Sequence, residues 1–273
     1  MGIAPVNRYP VQNMSLLRQL TRKFRGPRCH LESEEKLWVE QRLLWLRQQF
    51  GPGPIRRPPL DPNSQLLPGK WDHSPESGAE LLQKVCGYMQ VDPSRLELQY
   101  YSEEQPIEPI LGFTERESSG PAGLYIHPEN GQRLIIALHV MGLRNPANLV
   151  ATMCHELAHV HLLADKRIAE DTLDGEPLTD LLTVYFGAGI FTANSAFHFG
   201  QWQEGNYGGW SVSRQGYLTE AQFGYALAGY CWFRGETEAG WRKHLRENIA
   251  YYFEDSLHFL STTRDTSIPF DGA

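Results

Sequence analysis

Two histidines four residues apart, with a glutamate directly after the first, stand in ATMCHELAHVHLLAD, residues 151 to 165. In an α-helix, residues i and i+4 project from one face. His155 and His159 therefore point the same way, and two imidazoles so placed can bind one tetrahedral zinc ion. Glu156 lies about 100° further round the helix. From there its carboxylate reaches a metal-bound water without ligating the metal, as a general base must. Each residue type has a chemical reason: neutral imidazoles hold the metal, an open position holds water, and a carboxylate takes the proton. A string HExxH alone arises by chance in roughly one chain of this length in a hundred. Here it lies well inside a helical run, strands precede it, and carboxylates follow it.

His155-Glu156-x-x-His159, followed by Glu176-x-x-x-Asp180 at the start of the next helix, resembles the gluzincin branch of the HExxH zinc metallopeptidases, with thermolysin its familiar member. The motif match covers residues 155 to 180, and the order of strands followed by two helices extends the likeness to 95 to 195. The resemblance implies a zincin-like fold and a third zinc ligand, Glu176, from the second helix. It implies that Asp180 orients His155 from behind, fixing its tautomer and raising its basicity. One departure keeps the ligand set open. Pro177 directly follows Glu176, and a residue before proline is pushed away from helical geometry. Glu176 can then sit at the N-cap, with Asp180 as the alternative ligand and Asp171 and Asp174 as further candidates from the intervening loop.

The resemblance also implies an edge strand that pairs with an extended substrate, and an oxyanion stabiliser downstream. By position the strand is RLIIALH, residues 133 to 139, although its unbroken apolar run reads equally as an internal strand. His198, Tyr207 and Tyr217 are candidates for the stabiliser; Tyr217 is preferred because it lies just before a capped helix. His161 lies about 200° round from His159 and cannot join the same metal; it reads as a structural histidine. His139 and Cys154 read as structural residues, and Cys29-His30 has no partner spacing.

The elements that position these residues follow from periodicity and caps. Helices are predicted over 33–50, with Ser33 as cap and Gly51 as stop, and over 76–90. Between them lies a proline-rich stretch, 51 to 75, read as a wrap or linker. Strands are predicted at 95–101, 123–127 and 133–139, the last two joined by a hairpin at Asn130-Gly131. Asn145 caps and Pro146 opens a helix to about 164. Further helices run from 176 to 194, from a Thr219/Gln222 capping box to 234, and from 239 to 262. The fold class is α+β: a small, mostly antiparallel sheet followed by a helical half carrying the active-site helix. Residues 1–75 form an N-terminal helical segment and wrap, and 76–273 the metallohydrolase domain.

Bulk properties narrow the function. A net charge of −7 does not attract nucleic acid. A basic stretch at 16–28 reads as a solvated segment. Four scattered cysteines and no CxxC pair suit a reducing, cytoplasmic compartment. No apolar run is long enough to cross a membrane. The expectation is a zinc-dependent hydrolase, a metallopeptidase acting on a peptide or protein substrate. The alternative is a non-catalytic, metal-stabilised binding or regulatory protein that retains the HExxH helix. Oligomeric state is not set by the sequence.

Overall fold

The computed structural model describes residues 26–63, 66–67, 71–102, 104, 122–128, 133–195 and 218–270. The chain is α+β; the described residues form a three-stranded sheet and a larger helical part. Helix α1 (Ser33–Phe50) starts one residue after Glu32, whose backbone N–H donates to Glu35 Oε2 at 3.0 Å. The cap is thus Glu32 and not Ser33. Gly51, at φ 65°, ends the helix by donating its N–H to the Arg47 carbonyl; that left-handed value favours glycine. A short turn, α2 (Gly53–Arg56), leads into the proline-rich stretch. Ile55, Leu60 and Leu66 of that stretch are buried in the same core as Leu43 and Leu46 of α1 and Leu181 of the second site helix. Ser74 caps α3 (Pro75–Met89) by accepting from the Ser77 N–H.

Strands β1 (Leu96–Tyr101), β2 (Gly123–Ile126) and β3 (Leu134–His139) pair in the order β1-β3-β2. β2 and β3 are antiparallel, Tyr125 facing Ile136, as the hairpin signal predicts; the turn residues Asn130 and Gly131 lie outside the described residues. β1 runs parallel to β3, Leu96 facing Leu134. The sheet is therefore mixed and not mostly antiparallel. The hairpin fixes only the β2–β3 pair, and β1 docks on β3 by burying apolar side chains that no local signal specifies. β3 is bonded on both sides and buried throughout. Of the two readings of this strand, the internal one holds and the edge one does not; among the described residues the outer strand on that side is β2.

Asn145 caps α4 (Pro146–His159), accepting from the N–H groups of Ala147 and Asn148. The helix then widens into a π turn, Val160–Ala164. Helix α5 (Gly175–Tyr185) is shorter than expected. It stops at Gly187, φ 87°, whose carbonyl accepts from the Leu60 N–H. A Cβ there would fall 2.7 Å from Tyr88 Oη, so the break is fixed by close packing. Helical structure resumes at 189–195. Helix α6 (Glu220–Phe233) opens on the expected reciprocal box, Thr219 N–H to Gln222 and Gln222 N–H to Thr219. It is buried from Phe223 to Phe233 and forms the centre of the helical part. The expected 239–262 helix divides into a 3-10 turn (Gly240–His244) and α7 (Glu247–Thr263). Gly224 of α6 lets the α7 backbone at Tyr252–Phe253 approach closely.

The chain end is tied back to α1 through Glu40, only 2% exposed. Its carboxylate accepts from Tyr225 Oη at 2.6 Å, Ser267 N at 2.9 Å and Ser267 Oγ at 2.7 Å. Burial alone raises this carboxyl, but the donors outweigh it and hold it below its usual 4.5. A depressed native pKa adds stability above the unfolded value and loses it as pH falls through the native one. Glu40→Gln is therefore expected to cost about 2 kcal/mol at pH 7. In urea melts, the gap to wild type should narrow below pH 4. A gap unchanged down to pH 3 would place the stabilisation in something other than the charge.

Candidate metal centre

The site lies where α4 crosses α5 beneath β2. His155 Nε2 is 3.1 Å from Glu176 Oε2, and His159 Nε2 is 3.6 Å from the same oxygen. The two imidazole rings stand 4.9 Å apart at 81°. One donor atom from each of His155, His159 and Glu176 lies within 4.8 Å of the others. Donors held 2.0–2.1 Å from a tetrahedral centre are about 3.3 Å apart. The spacings found bracket that value, so the residues fit a metal ion.

Glu176 is in the first turn of α5 despite Pro177, because the helix begins one residue earlier, at Gly175. The proline N–H that is missing belongs to a position with no intrahelical acceptor. Asp180, one turn on, does not join the donor set. Its Oδ1 takes the Nδ1–H of His155 at 2.9 Å, and its Oδ2 accepts the Leu218 N–H at 3.1 Å. Asp180 is thereby buried but fully engaged. It turns Nε2 of His155 toward Glu176.

The remaining loop carboxylates are accounted for. Asp171 is exposed. Asp174 faces α1, where it accepts from Trp38 Nε1 at 2.8 Å and from Arg42 Nε and Nη2 at 2.7 and 2.8 Å. This two-pronged clamp anchors the start of α5 two residues before Glu176. It links α1 to the candidate metal centre, and nothing in the spacing of the motif points to it.

Glu156 stands beside the donor set and outside it, 5% exposed. Burial pushes its carboxyl up; the His155 and His159 charges and a hydrogen bond from the Tyr125 backbone act the other way. For His155 the order is reversed: burial disfavours its charged form, but hydrogen bonds to Asp180 and Glu176 outweigh it and raise its pKa. Glu176 is held well below the ordinary carboxyl range, since the hydrogen bond with His155 and the charges of the two imidazoles beside it overcome its desolvation.

Two residues of β2 complete the site and were not among the sequence candidates. The ring of Tyr125 stacks on His159, 6.0 Å between centroids at 22°. Gly123 lies against Glu156: a Cβ there would be 2.5 Å from Thr152 Cγ2 and 3.0 Å from Glu156 Oε1. Only the glycine in an otherwise apolar strand hinted at so close an approach. His161 faces away, as its position round the helix predicts. It donates from Nε2 to the Met89 carbonyl at 2.7 Å and packs on Phe50 and Phe186. His139 accepts from the Met141 N–H, His30 pairs with Asp255, and Cys154 is buried. Tyr217, His198 and Tyr207 lie outside the described residues.

The arrangement is a His-His-Glu cluster that could hold a metal ion, with a second carboxylate, Glu156, at its side. No family model, curated protein or solved structure matches the chain. Among the described residues, no helix is long and apolar enough to cross a membrane.

Proposed function

We propose that the chain is a zinc metallopeptidase that cleaves extended peptides. The observation that carries this reading is the convergence of His155, His159 and Glu176 with Glu156 beside them and outside the donor set. A set of two imidazoles and one carboxylate suits zinc, and three protein donors leave one tetrahedral position open. Bound there, zinc supplies an activated water and polarises the scissile carbonyl.

The chain's own groups do the rest. Asp180 holds the Nδ1–H of His155 and so keeps Nε2 a donor. Glu156 accepts the proton released by the attacking water and returns it to the leaving amine. β2, the outer strand on the site's side among the described residues, offers main-chain groups to an extended substrate, which adds as a further strand. Such pairing gives affinity with little demand on substrate sequence.

Digestion of a mixed peptide library by the zinc-loaded full chain, read by mass spectrometry, tests the proposal. Cleavage should stop with a chelator and return with zinc. Intact peptides after incubation with protein shown to hold zinc would reject hydrolysis and leave a metal-stabilised binding protein. The contact at Gly123 adds a sharper expectation. Gly123→Ala presses on Glu156 and is expected to lower turnover by about 10- to 100-fold through misplacement of the base. Zinc content should stay the same. Wild-type turnover in the folded variant would mean that the base has room to spare.

A further inference from the structure

Thr179 is fully buried on α5, three residues after Glu176 and one before Asp180. Residues i, i+3 and i+4 of a helix share one face, so the third ligand, Thr179 and Asp180 all look toward the two imidazoles. The hydroxyl proton of Thr179 is committed: Oγ1 donates to the Gly175 carbonyl at 2.8 Å. The same oxygen lies 3.4 Å from Nδ1 of His159. With its proton directed backward, the hydroxyl can face that nitrogen only as an acceptor. His159 must then carry its proton on Nδ1, which leaves the lone pair on Nε2, the nitrogen on the Glu176 side.

We propose that Thr179 is the positioning residue for His159, as Asp180 is for His155. A relay runs from His159 Nδ1–H to the Thr179 hydroxyl to the Gly175 carbonyl, and ends one residue before Glu176. Neighbouring residues of one helix thereby fix the tautomers of both histidines, and the helix that supplies the third ligand also orients the other two. The inference rests on the reading of His155, His159 and Glu176 as a metal site. Without the hydroxyl, Nδ1 of an imidazole side chain only 12% exposed would lose its acceptor. Metal-ligating histidines keep such a partner, and losing it weakens metal binding by about 10- to 100-fold.

The test is zinc affinity of the full chain by competition with a chromogenic chelator, in wild type, Thr179→Val and Thr179→Ser. Valine keeps the volume and removes the acceptor; affinity is expected to fall about 10- to 100-fold. Serine keeps the hydroxyl, and affinity should stay within a few-fold of wild type. Equal affinity in the valine variant, or equal losses in both, overturns the proposal. Absence of zinc binding by wild type overturns instead the metal-site reading beneath it. Should the valine variant not fold, the wild type decides the matter by NMR. The zinc-loaded protein should show a slowly exchanging His159 Nδ1 proton, and a rapidly exchanging one overturns the role.

Discussion

Glu156→Gln is expected to retain zinc and to lose about 10²- to 10⁴-fold in peptide turnover, the usual worth of a positioned general base. Glutamine has nearly the same shape and occupies the same place beside Gly123, so the proposed metal ligands, all on other side chains, need not move. What it cannot do is accept a proton. Zinc content and turnover should therefore separate in this variant. They should fall together in His159→Ala, where a ligand is gone. Wild-type rates from zinc-loaded Glu156→Gln protein would remove the base from the mechanism. Loss of zinc in the same variant would instead make Glu156 part of the metal's support.

Zinc is expected to raise the melting temperature strongly, because the three proposed ligands come together only in the folded chain. At free zinc a thousand times its dissociation constant, the stabilisation is about 4 kcal/mol. For a domain of this size each kcal/mol moves the midpoint by about 2–4 °C, so a shift of about 8–16 °C should appear in a thermal scan. His159→Ala and Glu176→Ala should abolish it. His155→Ala is a poorer probe. Among the described residues it strands the Asp180 carboxylate, 4% exposed, with only the Leu218 N–H, and an uncompensated buried charge costs about 3–5 kcal/mol by itself. A wild-type midpoint indifferent to zinc would overturn the three-ligand site. A full shift in one of the two alanine variants would exclude that residue from the ligand set.

Much of the positioning machinery is readable because it is local. Asn145-Pro146 caps α4 with its own side chain, Thr219 and Gln222 cap α6 reciprocally, and Gly51 ends α1 in a backbone conformation suited to glycine. The same logic places His155 and His159 on one face, since helical geometry alone relates residues four apart. Glu176 and Asp180 become candidates only through a resemblance, and Pro177 leaves their roles open in the sequence. Resolving the two needs the true start of α5, one residue before Glu176.

What the sequence by itself determined is therefore where most of the helices lie, the caps at Asn145 and Thr219, the two-histidine face and the antiparallel β2–β3 pair: features set by hydrogen bonds within a few residues. Tertiary structure alone decided that β3 lies inside the sheet, that Gly123 and Tyr125 of β2 close over Glu156 and His159, and that α1 grips Asp174. It also decided that α5 stops at Gly187 against Leu60 and Tyr88. These contacts join segments far apart in the chain. Their free energy comes from burial and fit between surfaces, which periodicity and caps do not encode.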